Sequence, residues 1–127
     1  MARKVLVIDD DADFVESITN LLEAKNYEVA SAPNGQEGIE KAKADTPGII
    51  LLDVMMTKKD EGFDVARQLN ADENLKSVPV IMISGVRKEM SLPFGFEPDP
   101  DWLPVADFLE KPVKPDMLLK TIADNIK

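Results

Sequence analysis

Short apolar blocks alternate along the chain with segments in which apolar residues recur every three or four positions. Val5-Leu-Val-Ile8, Gly48-Ile-Ile-Leu-Leu52 and Val78-Pro-Val-Ile-Met-Ile83 are unbroken blocks rich in β-branched residues. That composition predicts strands buried on both faces. Tyr27-Glu-Val-Ala30 and Ala106-Asp-Phe-Leu109 are mixed in polarity and read as edge strands. Between the blocks, Phe14, Ile18, Leu21 and Leu22 make one apolar helical stripe. Asp13, with Glu16 three residues on, has the spacing of a helix cap, and Asn34-Gly-Gln-Glu37 repeats it ahead of Ile39 and Ala42. Phe63, Ala66 and Leu69 mark a third helix after Gly62. A last one opens at Pro115, with Leu118, Ile122 and Ile126 four residues apart.

Strand and helix in strict alternation imply a parallel sheet with helices on both faces, because each parallel strand needs a right-handed crossover to reach its neighbour. The predicted fold is α/β: a flavodoxin-like doubly wound five-stranded parallel sheet of order 2-1-3-4-5. Its ligand crevice then lies at the carboxyl ends of the first and third strands, where the strand order reverses. The fourth helix, between the fourth and fifth strands, is expected to be shortened or irregular. Val86 to Val105 carries Pro93, Pro98, Pro100 and Pro104, which leaves a regular helix little more than Arg87 to Leu92.

Composition narrows the function. At 127 residues, 44% of them hydrophobic, the chain is read as one domain over 1–127 with no output domain. A net charge of -9 disfavours direct contact with nucleic acid or an anionic membrane and favours a cation or a basic protein surface. The basic start and Val5-Leu-Val-Ile8 are cut short by Asp9-Asp10-Asp11, so no export signal is read, and no apolar run is long enough to cross a bilayer. The expected location is cytoplasmic. With no cysteine and no histidine, any chemistry must run on carboxylates, hydroxyls, lysine and bound metal.

At the predicted crevice the chain places Asp9 and Asp10 after the first strand and Asp53 after the third. Three carboxylates at one point must share protons or bind a cation, and an all-oxygen set suits Mg2+. Ser84 ends the fourth strand, and Lys111 follows the fifth in Phe108-Leu-Glu-Lys111-Pro112. Aspartates, metal, hydroxyl and ammonium are the parts that hold a transferring phosphoryl group, where catalysis is chiefly positioning and charge neutralisation. Each has a plainer reading when taken alone. An Asp-Asp pair after a strand is commonly a solvated turn, Ser84 an ordinary turn hydroxyl, Phe108 a static core aromatic, and Met55 and Met56 packing residues.

Together, Val5-Leu-Val-Ile-Asp9-Asp10, Ile50-Leu-Leu-Asp53-Val-Met-Met56, Ile81-Met-Ile-Ser84-Gly85 and Phe108-Leu-Glu-Lys111-Pro112 closely resemble the response-regulator receiver family, in its order and spacing. The resemblance implies that Asp53 accepts the phosphoryl group and that Mg2+ is held by Asp10, Asp9, Asp53 and the backbone carbonyl of Met55. It implies that Ser84 and Lys111 bind phosphoryl oxygens, that Pro112 is a cis proline aiming the lysine, and that Ser84, Phe108 and Pro112 form the switch. The implied donor is a phosphohistidine on a sensor histidine kinase or histidine phosphotransfer protein, with an unidentified downstream protein as target. The chain would catalyse its own phosphorylation and dephosphorylation without being a turnover enzyme. A Mg2+ phosphatase of the aspartyl-phosphate kind would typically carry a second aspartate two positions after the nucleophile, where this chain has Met55. A pure interaction module would not need the full residue set.

The chain departs from the family pattern at Thr57, where proline is usual, in the loop Thr57-Lys-Lys-Asp-Glu61, in the long Val86–Val105 stretch, and at Gly85. The long stretch is expected to be an ordered loop anchored by Phe94, Phe96 or Trp102, contributing to the output surface together with the fifth strand.

Overall fold

The computed structural model describes residues 3–53, 61–84, 107–110 and 114–126, with the backbone alone at 61–64, 66, 84, 107, 108 and 110. In chain order its elements are β1 (Lys4–Ile8), α1 (Ala12–Glu23), β2 (Glu28–Ala32), α2 (Gly35–Ala44), β3 (Ile49–Asp53), α3 (Glu61–Ala71), β4 (Val80–Ser84), β5 (Asp107–Glu110) and α4 (Pro115–Asn125). The strands form one parallel sheet in the order β2-β1-β3-β4-β5, which puts both mixed-polarity segments at its edges. The predicted irregular helix between β4 and β5 falls at residues 85–106, outside the described residues, as do Phe94, Phe96 and Trp102.

Strand alternation divides the core into two layers. Leu6, Ile8, Ile50, Leu52, Val80 and Met82 face one side, where Ala42 of α2 and Val65 and Leu69 of α3 cover them. Val5, Val7, Ile49, Leu51, Ile81 and Ile83 face the other, under Ile18 and Leu22 of α1 and Leu118 and Ile122 of α4. Every residue of the Ile49–Asp53 strand is buried, as expected for a central strand covered on both faces. Leu75 and Val78, in the turns after α3, add to the first layer. Backbone bonds from Leu75 and Lys76 to the Asp72 carbonyl hold those turns.

Local chemistry sets the helix ends. Asn34 caps α2, accepting from the Glu37 N–H at 2.9 Å while its amide donates to the Glu37 carboxylate at 2.9 Å, a capping pair as the spacing predicted. The α1 cap differs from expectation. Asp11, not Asp13, accepts from the N–H groups of Asp13 and Phe14, and Asp13 lies inside the first turn. The helix therefore starts at Ala12, ahead of the Phe14 start that a cap at Asp13 would give, and Asp11 holds the extended backbone of a cap residue, with ψ at 99°. Pro115 occupies the start of α4 as predicted, whereas Ile126 falls just past its end and packs there on the core. Between α1 and β2 the chain reverses through Asn26 in the left-handed region, with φ 69°, and Tyr27 N–H returns to the Leu22 carbonyl.

The close seat of α2 on β1 rests on a glycine. A Cβ at Gly38 would stand 2.6 Å from Ile8 Cγ1 and closer still to Cδ1, and Ile8 is fully buried. Gly38→Ala gains about 1 kcal/mol of helix propensity, but overpacking of this kind costs roughly 1–3 kcal/mol. Urea unfolding is expected to show a net loss of stability for Gly38→Ala. Stability at or above wild type would mean that α2 can back away from Ile8 at no cost.

Candidate functional site

The site begins with strand register. β1 and β3 are parallel neighbours with Ile8 opposite Leu52, so the next residue on each strand, Asp9 and Asp53, comes to the same sheet edge side by side. Adjacent strands lie about 4.8 Å apart. Asp9 is held there by its own N–H, which donates to the Ala32 carbonyl at 3.0 Å and prolongs the β1–β2 ladder by one bond. Asp53 is the last residue of β3, paired with Ile83 of β4. Asp10 follows at the start of the turn into α1. One carboxylate oxygen from each of Asp9, Asp10 and Asp53 lies within 4.8 Å of the others.

Burial makes this grouping chemically pointed. Asp9 and Asp53 are each only 3% exposed, whereas Asp10 is exposed. Carboxylates taken out of water and set beside one another disfavour their ionised forms unless hydrogen bonds or a cation compensate. Part of the compensation is visible: the Asp11 N–H donates to Asp9 Oδ1 at 2.9 Å. The donor set also fits a hard divalent cation. All three donors are carboxylate oxygens, and exposure at Asp10 leaves a side open to water, as Mg2+ requires because it sheds its hydration reluctantly.

The remaining predicted residues are placed only in part. Ser84 is the last residue of β4, one position beyond the Ile83 that pairs with Asp53, so its backbone reaches the same edge. Phe108 sits in β5 opposite Met82, two residues short of the Ser84–Glu110 pair. Met55, Lys111 and Pro112 lie outside the described residues, as does the loop from Thr57 to Asp60. Asp11 is the residue that sequence reasoning passed over. The apolar sequence pattern gives it no role, yet it caps α1 and its N–H donates to Asp9 Oδ1. Its spacing carried the signal: two residues after Asp9 for an Asp turn, and three before Phe14 for a cap.

The response regulator receiver domain matches residues 5–123. This chain belongs to that family. Among curated relatives, the receiver is 33% identical over 122 residues to Protein PilH of Pseudomonas aeruginosa, covering 96% of this chain and 95% of that protein. It is 36% identical over 126 residues to Response regulator PleD of Caulobacter vibrioides, covering 96% of this chain but only 26% of PleD. Among solved structures, chemotaxis response regulator CheY4 of Vibrio cholerae superposes with a TM-score of 0.81 at 25% identity, over 99% of this chain and all of that one. The receiver is thus part of two-component signalling, and among the described residues Asp9, Asp10 and Asp53 form an acidic cluster. No helix among the described residues is long and apolar enough to cross a membrane.

A cluster that repels itself predicts a specific response to its own dismantling. Two unit charges 4 Å apart interact by about 1 kcal/mol in bulk water and by more where burial lowers the dielectric. Asp10→Ala is therefore expected to raise metal-free thermal stability by an amount of that order and to weaken Mg2+ binding measured by calorimetry. Unchanged Mg2+ affinity in the variant would remove Asp10 from the metal site.

Proposed function

We propose that this receiver is a phosphoryl-accepting switch in which Asp53 takes the phosphoryl group from a phosphohistidine of a sensor histidine kinase or histidine phosphotransfer protein, with Mg2+ bound at Asp9, Asp10, Asp53 and the Met55 carbonyl. The observation that carries this reading is the convergence of three carboxylates, two of them buried, at the reversal point of a receiver sheet.

In the reaction, an Asp53 carboxylate oxygen attacks phosphorus as the bond from phosphorus to the donor imidazole nitrogen breaks. The imidazole keeps the electron pair and takes a proton, and the product is an acyl phosphate on Asp53. Water later cleaves that phosphate and restores the carboxylate. Mg2+, when bound, supplies the charge neutralisation that lets an anionic phosphoryl group approach an anionic cluster. The strand ends contribute position: Asp53 is fixed by the ladder of β3 with β4, so the nucleophile needs little reorganisation to react. Lys111 pairs with one phosphoryl oxygen, and the Ser84 hydroxyl donates to another. Movement of Ser84 toward the phosphoryl group, with Phe108 following and Pro112 holding the lysine loop, changes the surface shown to a downstream protein. Such coupling requires two packings that phosphorylation favours unequally. The protein is stoichiometric in use, regenerates itself by hydrolysis, works in the cytoplasm and makes no direct contact with nucleic acid.

Incubation with Mg2+ and a small phosphodonor, followed by intact mass, tests this directly. The wild type is expected to gain one phosphoryl mass only when Mg2+ is present. Asp53→Asn keeps the shape, removes the nucleophile and is expected to gain none. Modification of Asp53→Asn at the wild-type rate would overturn the assignment.

A further inference from the structure

Asp11 bonds in two directions at once, and the two sets of bonds connect the start of α1 to the carboxylate cluster. Its carboxylate Oδ1 accepts from Asp13 N–H at 3.1 Å and from Phe14 N–H at 3.2 Å, which fixes the first turn of α1. Its backbone N–H donates to Asp9 Oδ1 at 2.9 Å. Asp11 takes extended backbone at this point, φ -89° and ψ 99°, the conformation from which its side chain caps α1 while its N–H faces back toward Asp9. The Asp11 carbonyl closes the unit by accepting the Val15 N–H at 3.0 Å. The Asp9 N–H in turn donates to the Ala32 carbonyl at 3.0 Å. The Asp11 N–H thus acts on the Asp9 side chain and helps to fix the plane and rotamer of its carboxylate.

We infer that Asp11 is a positioning residue for the metal site: its side chain, by capping α1, orients the N–H that presents Asp9 to the cation. The inference rests on the Mg2+ reading of the cluster and extends it to a residue that contributes no ligand atom. Charge argues in the same direction. A fourth carboxylate next to three others adds repulsion, so a role that needed only bulk negative charge would not need Asp11 in the cap geometry. The cap geometry needs a side-chain acceptor, which Asn supplies without charge.

Calorimetric titration of the intact chain with MgCl2, paired with thermal melts in chelator, separates these roles. Residues behind metal ligands typically cost roughly 10–100-fold in affinity when removed. Asp11→Ala is expected to fall in that range, and Asp11→Asn to retain affinity within a few-fold. Asn34→Ala provides the structural control, since it removes the equivalent cap of α2 from a helix whose cap makes no bond to Asp9. It is expected to lower the melting temperature with Mg2+ affinity unchanged. Equal Mg2+ affinity for wild type and Asp11→Ala would overturn the inference, leaving Asp11 a helix cap only. Equal loss in Asp11→Ala and Asp11→Asn would overturn it in favour of a simple charge effect. A wild type that takes up no Mg2+ would instead remove the metal reading itself, and the inference with it.

Discussion

Like charge held at close range by strand register is the constraint from which the rest of this receiver follows. Ile8 opposite Leu52 leaves Asp9 and Asp53 no choice but to share an edge, and both are almost wholly buried there. Sliding the register by one residue would relieve the repulsion but turn every side chain of the strand to the opposite layer. Val5, Val7, Ile49 and Leu51 could then no longer meet α1 and α4, and Leu6, Ile8, Ile50 and Leu52 could no longer meet α2 and α3. Two packed layers therefore lock in a cluster that is unfavourable in itself. A site of this kind is poised to gain from whatever positive charge it can admit.

The packing that enforces the register runs right up to the site. Ile8 and Leu52, the residues immediately before Asp9 and Asp53, are fully buried, and α2 rides directly on Ile8 across Gly38. Polar ties hold the far end: Lys4 pairs with Asp45, joining the start of β1 to the end of α2, and Gly48 N–H meets the Lys4 carbonyl. Such exposed ion pairs contribute little on their own. Their value here is in keeping β1 and α2 aligned. The carboxyl edge is left to the turns, where Asp11 joins the first helix to the Asp9 carboxylate.

Much of this was legible in the sequence for reasons that can be stated. Central strands buried on both faces must be apolar throughout, so Val5–Ile8 and Ile49–Leu52 stand out, and edge strands need not be, so β2 and β5 are faint. Alternation with helices called for a doubly wound parallel sheet, the order 2-1-3-4-5 came with the flavodoxin-like assignment, and the carboxylates at the reversal point followed from that order. The α1 cap was misplaced because four aspartates, Asp9, Asp10, Asp11 and Asp13, crowd positions 9 to 13, and spacing alone fits Asp13 with Glu16 as well as Asp11 with Phe14. The bonds from the Asp13 and Phe14 N–H groups to Asp11, with its extended backbone, decide between them. The strand bounds moved by a residue or two, as at Tyr27, which precedes β2 and packs against the core without joining the ladder.

The central claim is that the edge made by β1 and β3 is a phosphoryl-accepting centre with one reactive carboxylate among three. Borohydride reduction of the chain after treatment with Mg2+ and a small phosphodonor measures this most directly, because it converts an acyl phosphate to the alcohol and so marks the modified aspartate as homoserine. Peptide mapping should find homoserine at position 53 and aspartate at positions 9 and 10. Homoserine at position 9 or 10, or at none of the three, would contradict the account.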